Sequence, residues 1–290
     1  MPAGLDHTVH AVHDLEAAAH FYRRLGFTVG ARNRHPWGTH NHVVQVPGFF
    51  VELLTVAEPD KLGTDGFSRM FGAFNRDFLA HGEGLSLLIL ESVDAAADAA
   101  AFQKSGITAS GNALRFERAG TRPDGSEVTV AFSLAFARDP RASRAGFAVC
   151  QQHFPENFWN PQFQQHANSA GAVAGVVLVA ADPTLHRDFV AAFTGRPEVD
   201  VMAGGLIAQT ARGEIAVLTP DAFRAAYDTP PPEGDGIRLA ALRFRVADIA
   251  SAEDALAAGE IEADIGSDRI VVAPDVAMGA TIVFEDGGER

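Results

Sequence analysis

Two side chains in separate apolar runs of the sequence could together bind a divalent cation. His7 lies within the run 5–12 and Glu52 within the run 49–56, and both runs read as β-strands. A lone imidazole and a lone carboxylate are costly to bury unless each has a partner, and one metal ion would serve both. Such a site leaves coordination positions open for a substrate. The alternative is a buried hydrogen bond or ion pair between the two side chains without a metal.

A second imidazole, His153, is the candidate third ligand, because two histidines and one carboxylate form a metal site with an open side. It follows the strand-like run 146–152 and is an odd number of residues from Cys150. His153 can therefore reach the same face only if the strand ends or bulges there. The alternative is a loop histidine at the mouth of the site. Cys150 has no nearby basic cluster, so we predict a buried structural cysteine rather than a reactive thiolate.

The loop 34–42 has the composition of a substrate-binding segment. It holds three histidines, a Trp and an Asn around a glycine, which suits contact with a small polar molecule beside an aromatic wall. Trp37 and Asn41 are the candidate substrate contacts, and His35 is a weaker one. The alternative is a hairpin connection with ordinary turn residues.

The elements that would position these residues recur along the chain. A short apolar strand is followed four times by a helix that starts at Asp or Ser and stops at Gly, which are typical capping residues. The predicted helices are Asp14–Leu25, about Ser92 to Ser105, Asp182 to the stop at Gly195, and Asp248 to the stop at Gly259. In the first strand, Leu5, His7 and Val9 are predicted to share one face.

Short β-rich runs follow each helix, so each copy reads as a βαβββ module. A single four-stranded sheet with one helix leaves a hydrophobic face exposed, and two modules must pair their sheets to bury it. The fold class is therefore predicted to be α+β, with four βαβββ modules paired into two half-barrel cups. The predicted domains are residues 1–165 and 172–290, with the boundary between Pro161 and Ala174. A ferredoxin-like or irregular α+β fold is the alternative.

Composition limits the classes of partner. The chain has 290 residues, 47% of them hydrophobic, and a formal net charge of −14 with a pI near 5.1. That charge argues against nucleic acid or an anionic membrane surface as the main partner. The single cysteine excludes an internal disulfide and favours a reducing cytoplasm. No apolar run approaches the ~20 residues that span a bilayer, and no nucleotide-binding fingerprint is convincing, so we expect no nucleotide cofactor.

Three segments resemble the glyoxalase-like branch of the vicinal oxygen chelate superfamily. They are GLDHTVHAVHDLEAAAHFYRRLGF at residues 4–27, VELL at 51–54 and the loop HPWGTHNH at 35–42. The resemblance implies that each cup takes one metal ligand from the first strand and one from the last strand of both its modules. His7 and Glu52 occupy those two places in the first module, so the resemblance favours a metal over a metal-free pair.

The other modules depart from that pattern. In the second module the place of His7 falls at residues 85–87, which are Leu-Ser-Leu, and the alignment of GFAVCQQHF with GFFVELLTV puts Cys150 opposite Glu52. In the C-terminal half, Gly175 and Ala241 fall near the place of His7, and Ala216 falls at the place of Glu52. We therefore predict that any chemistry lies in the N-terminal cup.

Three functions follow from these observations. The first is a metal-dependent glyoxalase-like enzyme of the lyase, isomerase or dioxygenase type, in which His7, Glu52 and His153 bind Zn, Mn, Ni or Fe(II) and Glu52 is also catalytic. The metal would bind two neighbouring oxygens of a small substrate and stabilise an enolate. The second is a metal-free protein that sequesters a small hydrophobic compound. The third is a scaffold subunit without a ligand, and a homodimer is compatible with all three.

Overall fold

The computed structural model describes residues 3–121 and 125–287. In the first half the strands and helices follow one another in two strand–helix–strands sets, joined by a helical insertion. They are β1 Leu5–Ala11, α1 Leu15–Arg24, β2 Asn33–Arg34, β3 Thr39–Val46, β4 Phe49–Val56, α2 Phe74–Leu79, β5 Gly84–Glu91, α3 Ala95–Lys104, β6 Leu114–Thr121, β7 Glu127–Ala137, β8 Gly146–Gln152 and α4 Pro155–Phe158.

The second half repeats the same order, with its own helical insertion between the two sets. Its elements are β9 Ala170–Val179, α5 Arg187–Thr194, β10 Asp200–Met202, β11 Gly205–Gln209, β12 Glu214–Leu218, α6 Pro220–Tyr227, β13 Arg238–Val246, α7 Ile249–Ala258, β14 Asp264–Ile265, β15 Arg269–Val272 and β16 Thr281–Asp286. In the part of the chain that is described, no helix is long and apolar enough to cross a membrane.

Strand order confirms the paired βαβββ modules. The first sheet has eight strands in the order β2-β3-β4-β1-β5-β8-β7-β6, and the second has the order β10-β11-β12-β9-β13-β16-β15-β14. Within each module the first and last strands are parallel neighbours, and antiparallel pairing of β1 with β5, and of β9 with β13, joins the modules. Each sheet is therefore one curled cup built from two modules, as predicted.

The helix starts confirm the predicted caps. The side chains of Asp14, Asp94 and Asp248 each accept two backbone N–H bonds from the first turn of α1, α3 and α7. Asp182 caps a short 3₁₀ turn, Pro183–His186, that leads into α5. Gly195 ends α5 with φ of 65°, a conformation that glycine adopts at little cost. In the second module the cap is Asp94, two residues beyond the predicted Ser92.

The two halves share one hydrophobic core. All four module helices and the outer faces of both sheets contribute to it. Aromatic side chains meet across the junction: Phe27 lies 5.0 Å from Phe244, and Phe147 lies 4.7 Å from Phe189, between ring centroids. A buried hydrogen-bonded pair also crosses it, with His186 Nδ1 2.5 Å from Asp139 Oδ2. The two cups consequently stand back to back, with their concave faces pointing away from this core.

The second cup is filled by its own chain. Phe223 and Tyr227 of α6 are buried against the concave face of the second sheet. Arg243 lies beside them and forms ion pairs with Glu214 at 2.5 Å and Glu285 at 2.6 Å. The carboxylate of Glu285 is therefore paired with an arginine.

Candidate functional site

The concave face of the first sheet forms a small cavity of about 50 Å³. Five of the six residues that the sequence singled out as ligands or substrate contacts line it, namely His7, His35, Trp37, Asn41 and Glu52. Most of the remaining wall is aromatic or aliphatic, and it is formed by Val43, Phe50, Phe67, Phe71, Phe116, Phe132, Leu134 and Phe158, together with Cys150 and Arg118. The fold thus brings five of the predicted residues together from β1, β3, β4 and the loop before β3.

His7 is held by its sequence neighbour Asp6, which the sequence analysis did not single out. The pairing of β1 with β5 is irregular between Leu5 and His7, so strict alternation fails there. Leu5 consequently packs in the core shared by the halves, not on the cup face where it was predicted. The carboxylate of Asp6 lies 2.6 Å from His7 Nδ1 and also accepts a hydrogen bond of 2.9 Å from Gln152.

This arrangement fixes the chemistry of the imidazole. A carboxylate can only accept a hydrogen bond, so Nδ1 of a neutral His7 carries the proton and donates a hydrogen bond to Asp6. The ring stacks on Phe50 at 4.2 Å between centroids. Among the described residues Nε2 has no hydrogen-bond partner, and it is the nitrogen left to act as a base or a ligand.

Glu52 is buried in the same wall, and its carboxylate has few partners. Asn41 Nδ2 donates a hydrogen bond of 2.5 Å to Glu52 Oε1, and His35 Nε2 lies 3.8 Å from the same oxygen. Burial raises the pKa of Glu52, and the nearby His7 and the Asn41 hydrogen bond offset only part of that effect. The carboxyl group is therefore easier to protonate than an exposed glutamate.

His35 and Trp37 form an aromatic stack on the cavity wall. Their rings lie 4.7 Å apart and nearly parallel, and Trp37 stacks in turn on Phe67 at 4.9 Å. Burial lowers the pKa of His35 to about 3, with a further contribution from the positive charge of Arg118. His35 is therefore neutral at physiological pH, and its Nδ1 pairs with the hydroxyl of Thr39 at 2.8 Å.

Two polar atoms in this wall are buried without a partner. Trp37 Nε1 and Asn41 Oδ1 form no hydrogen bond with the described residues. An unpaired buried donor or acceptor costs about 1–3 kcal/mol, so natural proteins seldom tolerate one. One donor and one acceptor in the same cavity are the partners that a small polar ligand would use.

Arg118 is a site residue that sequence reasoning missed. It lies on β6 two residues after Phe116, so both side chains project to the cup face. Its guanidinium forms no ion pair with the described residues, and its one hydrogen bond there goes to the carbonyl of Ala119 at 3.2 Å. Burial lowers the pKa of Arg118, and the carboxylate of Glu52 opposes that effect. The sequence feature that could have identified Arg118 is the alternation Phe-Glu-Arg at residues 116–118, in a short run typical of a strand.

A second and more open pocket of about 690 Å³ adjoins the cavity. The two share Val43, Arg118 and Phe158 as lining residues. Gln45 and Trp159 line only the outer pocket, where Gln45 also bonds to the backbone of the segment after α4. Arg118 and Phe158 therefore lie where the cavity meets the larger outer pocket.

His153 lies on the other side of the sheet. Its Nε2 pairs with the hydroxyl of Ser133 at 2.8 Å. Ser133 lies between Phe132 and Leu134 on β7, and since both of these line the cavity, Ser133 points away from it. The strand does not bulge to turn His153 inward, so its position lends no support to its predicted role as third ligand.

The donor set does not fit the metal site that the resemblance implied. Nowhere in residues 3–121 and 125–287 do three His, Cys, Asp or Glu side chains lie close enough together to hold an ion. His7 and Glu52 face the cavity, but Arg118 lines the same cavity, and its positive charge would repel a bound metal ion. The cavity wall thus carries the titratable side chains of His7 and Glu52 together with the positive charge of Arg118.

Register corrects one alignment made from the sequence. Val9, five residues before the cap Asp14, pairs with Glu52; Ile89, five residues before the cap Asp94, pairs with Ala148. Ala148 therefore occupies the place of Glu52 in the second module, and Cys150 lies two residues further along. Burial raises the pKa of the Cys150 thiol well above its usual range, in keeping with an unreactive cysteine.

Counting back from the helix cap in the same way supports the alignment predicted for the C-terminal half. Val177, five residues before Asp182, pairs with Ala216, so Ala216 occupies the place of Glu52. Gly175 then stands at the place of His7. The second cup thus lacks both of the candidate chemical groups.

Comparisons with known proteins agree with this architecture. A sequence profile of the glyoxalase-like domain matches residues 5–194. A hypothetical protein from Staphylococcus aureus has a TM-score of 0.68 and 11% identity over 98% of this chain and 99% of its own. A mutant of 4-hydroxymandelate synthase from Streptomyces coelicolor has a TM-score of 0.60 and 12% identity over 100% of this chain and 94% of its own.

A third solved structure, a fusion of a xylose isomerase-like TIM barrel with 4-hydroxyphenylpyruvate dioxygenase, has a TM-score of 0.53 and 15% identity. It is matched over 100% of this chain and 50% of its own length. No curated protein sequence matches the chain. At these identities the solved structures establish the fold alone.

Proposed function

The chain belongs to the glyoxalase-like domain family, and we propose that its N-terminal cup is an enzyme site that moves a proton on a small, oxygen-bearing substrate. The Asp6–His7 pair carries this proposal. A histidine whose Nδ1–H is held by a buried carboxylate, with Nε2 left facing an apolar cavity, is the arrangement of a general base. The reaction class is isomerisation or elimination next to a carbonyl group.

In the proposed reaction His7 Nε2 takes a proton from the carbon beside the carbonyl. The electron pair of that C–H bond forms a C=C bond to the carbonyl carbon, and the π electrons of the C=O bond move to the oxygen, which gives the enolate. Asp6 stabilises the imidazolium that forms and prevents the ring from turning. Glu52, whose pKa is raised by burial, is suited to deliver a proton to a second substrate atom.

The negative charge that develops on the substrate oxygen needs stabilisation. The unpaired Trp37 Nε1–H is a donor in the same wall, and Arg118 supplies a positive charge there. Preorganised donors in a cavity that excludes water stabilise such charge more strongly than the same groups in water. The aromatic side chains around His7 provide that exclusion and favour a substrate with an aromatic or aliphatic body.

We assign no step to a metal. The superfamily resemblance implies a divalent ion, but His7 and Glu52 lack a third protein ligand among the described residues. Elemental analysis of untagged protein, repeated for His7→Ala and Glu52→Gln, tests this directly. Metal bound in near-stoichiometric amount by the wild type, and lost in both variants, would restore the metal-dependent alternative.

The proton-transfer proposal is tested by hydrogen–deuterium exchange. The full chain in D₂O is incubated with a panel of small aryl and alkyl 2-oxo and 2-hydroxy compounds, and loss of the C–H signal is followed by proton NMR. We expect exchange with at least one compound and a loss of about 10²- to 10⁴-fold in His7→Gln. His20→Gln, at an exposed site on α1, is the matched control. Equal rates in His7→Gln and wild type would refute the role of His7.

A metal-free binding protein is the second candidate function. The observation in its favour is the pair of unpaired atoms, Trp37 Nε1 and Asn41 Oδ1, which a ligand could satisfy without reacting. Tight binding of an aromatic compound by calorimetry, with no exchange of its protons, would support sequestration over catalysis.

A further inference from the structure

A third pocket lies at the junction of the two halves, remote from the residues of the candidate site. Its volume is about 400 Å³. Phe78, His81 and Glu83, around the segment between α2 and β5, line it from the first half. The second half contributes the segment 230–233 and Gly279, which precedes β16. None of its lining residues is shared with the cavity in the first cup.

Two arginines enter this pocket from opposite halves. Arg144 precedes β8 in the first half, and Arg238 begins β13 in the second. Arg144 lies over the ring of Phe78, 4.7 Å from its centroid, and donates a hydrogen bond of 3.2 Å to the Phe78 carbonyl. Arg238 donates one of 3.0 Å to the carbonyl of Asp235. Both side chains are thus held in place by contacts that leave their charge uncompensated.

The remaining donors of the two guanidiniums lack partners. The Nε atoms of Arg144 and Arg238 are buried and unbonded, and neither residue forms an ion pair in the described part of the chain. The third arginine of the pocket differs, since Arg224 pairs with Asp221 at 3.3 Å. A buried guanidinium N–H without an acceptor costs free energy, and two of them in one pocket require an explanation.

The acidic groups nearby are engaged or exposed. Glu83 accepts the backbone N–H of His13 at 2.7 Å, and Glu233 is exposed. Asp235 is exposed and attracts Arg238 only from a distance. Burial lowers the pKa of Arg144, and the like charge of Arg238 lowers it further. Both arginines therefore line one pocket, and in the described part of the chain neither forms an ion pair with Glu83 or Glu233, the two carboxylates that also line it.

We propose that Arg144 and Arg238 form an anion-binding site that holds a small dianion, of the phosphate or dicarboxylate class, across the junction of the two halves. A dianion would neutralise both guanidiniums and accept from their unpaired N–H groups, which present several donors in planar forks. Because the two arginines come from different halves, the bound anion ties the halves together. The proposal is independent of the reaction assigned to the first cup.

Thermal unfolding of the full chain tests the proposal, with inorganic phosphate, sulfate and malonate compared with sodium chloride at equal ionic strength. We expect at least one dianion to raise the melting temperature more than chloride does, as a ligand that binds only the folded state must. Calorimetry with that anion gives the affinity. Arg144→Gln and Arg238→Gln should each weaken binding roughly tenfold to hundredfold.

The variants also carry a signature that a purely structural arginine would not show. Arg144→Gln also removes the contacts with Phe78, whereas Arg238→Gln mainly relieves repulsion, so without added dianion the Arg238 variant should be at least as stable as wild type. Arg115→Gln, at an exposed arginine paired with Glu117, is the control and should keep the full anion response. If a Gln variant fails to fold, Arg144→Lys and Arg238→Lys keep the charge and should weaken binding without abolishing it. Identical responses to dianions and chloride, or unchanged affinity in these variants, would overturn the proposal.

Discussion

Replacing Asp6 by Asn is the sharpest test of how the first cup works. Asp6 holds His7 Nδ1 at 2.6 Å and is itself held by Gln152 at 2.9 Å. The substitution keeps size and shape but removes the charge, and the new amide can donate where the carboxylate could only accept. The imidazole would then carry its proton on Nε2, the nitrogen that must be unprotonated to act as a base.

The expected magnitudes follow from that single bond. A hydrogen bond to a charged group contributes about 1.5–3 kcal/mol to folding, so the free energy of unfolding by urea should fall by roughly that amount. Exchange of the substrate proton should slow by about 10²- to 10⁴-fold, since a base in the wrong tautomer is nearly as ineffective as no base. Nitrogen-15 NMR of the histidine ring reports the tautomer directly.

Gln152→Leu provides the matched control. It removes the second hydrogen bond to Asp6 but leaves the carboxylate on His7, so the tautomer should stay and the rate should fall much less. The reasoning is refuted if Asp6→Asn retains the Nδ1–H tautomer, or if it switches the tautomer and exchange continues at the wild-type rate.

Three further predictions concern buried groups. Glu52→Gln should have a higher free energy of unfolding in urea than wild type at pH 8, and this difference should vanish below about pH 4. Burial raises the pKa of Glu52 in the folded state, so the glutamate destabilises the fold only when the pH rises above its pKa in the unfolded chain. Asp139→Asn should be less stable than wild type near pH 7 by about 3–5 kcal/mol, because it breaks a buried pair with His186. Burial alone would raise the pKa of Asp139, but bonds from His186 and Arg141 hold it low, so this difference should shrink as pH falls below about 4. Trp37→Phe keeps an aromatic ring but removes the unpaired N–H together with part of the indole, so it should weaken ligand binding about tenfold in calorimetry.

Local chemistry made the fold predictable from the sequence. An Asp cap or a Gly stop acts on the backbone only a few residues away, so Asp14, Asp182 and Asp248 predicted the starts of their helices correctly. The need to bury one face of each four-stranded sheet then required the modules to pair. Trp37 and Asn41 were singled out because the segment 34–42 combines an aromatic ring with polar side chains, a composition that suits contact with a small molecule.

The parts of the site that were missed depend on pairing between distant strands. The irregularity that directs Asp6 toward His7 arises where β1 meets β5, and strict alternation cannot anticipate it. Arg118 reaches the cavity because β6 pairs with β7 in one particular register. His153 was already out of phase in the sequence, and the regular end of β8 left it on the far side.

The core shared by the two halves has a practical meaning for anyone who wishes to work with the first cup alone. A fragment that stops near residue 165 would keep every lining residue of the cavity, yet it would strip the cover from Phe27, Phe102 and Phe147, whose rings meet Phe244, Phe193 and Phe189. Such a fragment would expose a broad apolar surface to solvent, and we expect it to self-associate. The match to the glyoxalase-like domain extends to residue 194, through β9 and α5, and so beyond the domain boundary predicted from the sequence. The smallest piece that keeps this surface covered is the duplicated whole, in which the C-terminal half packs against the outer face of the first cup.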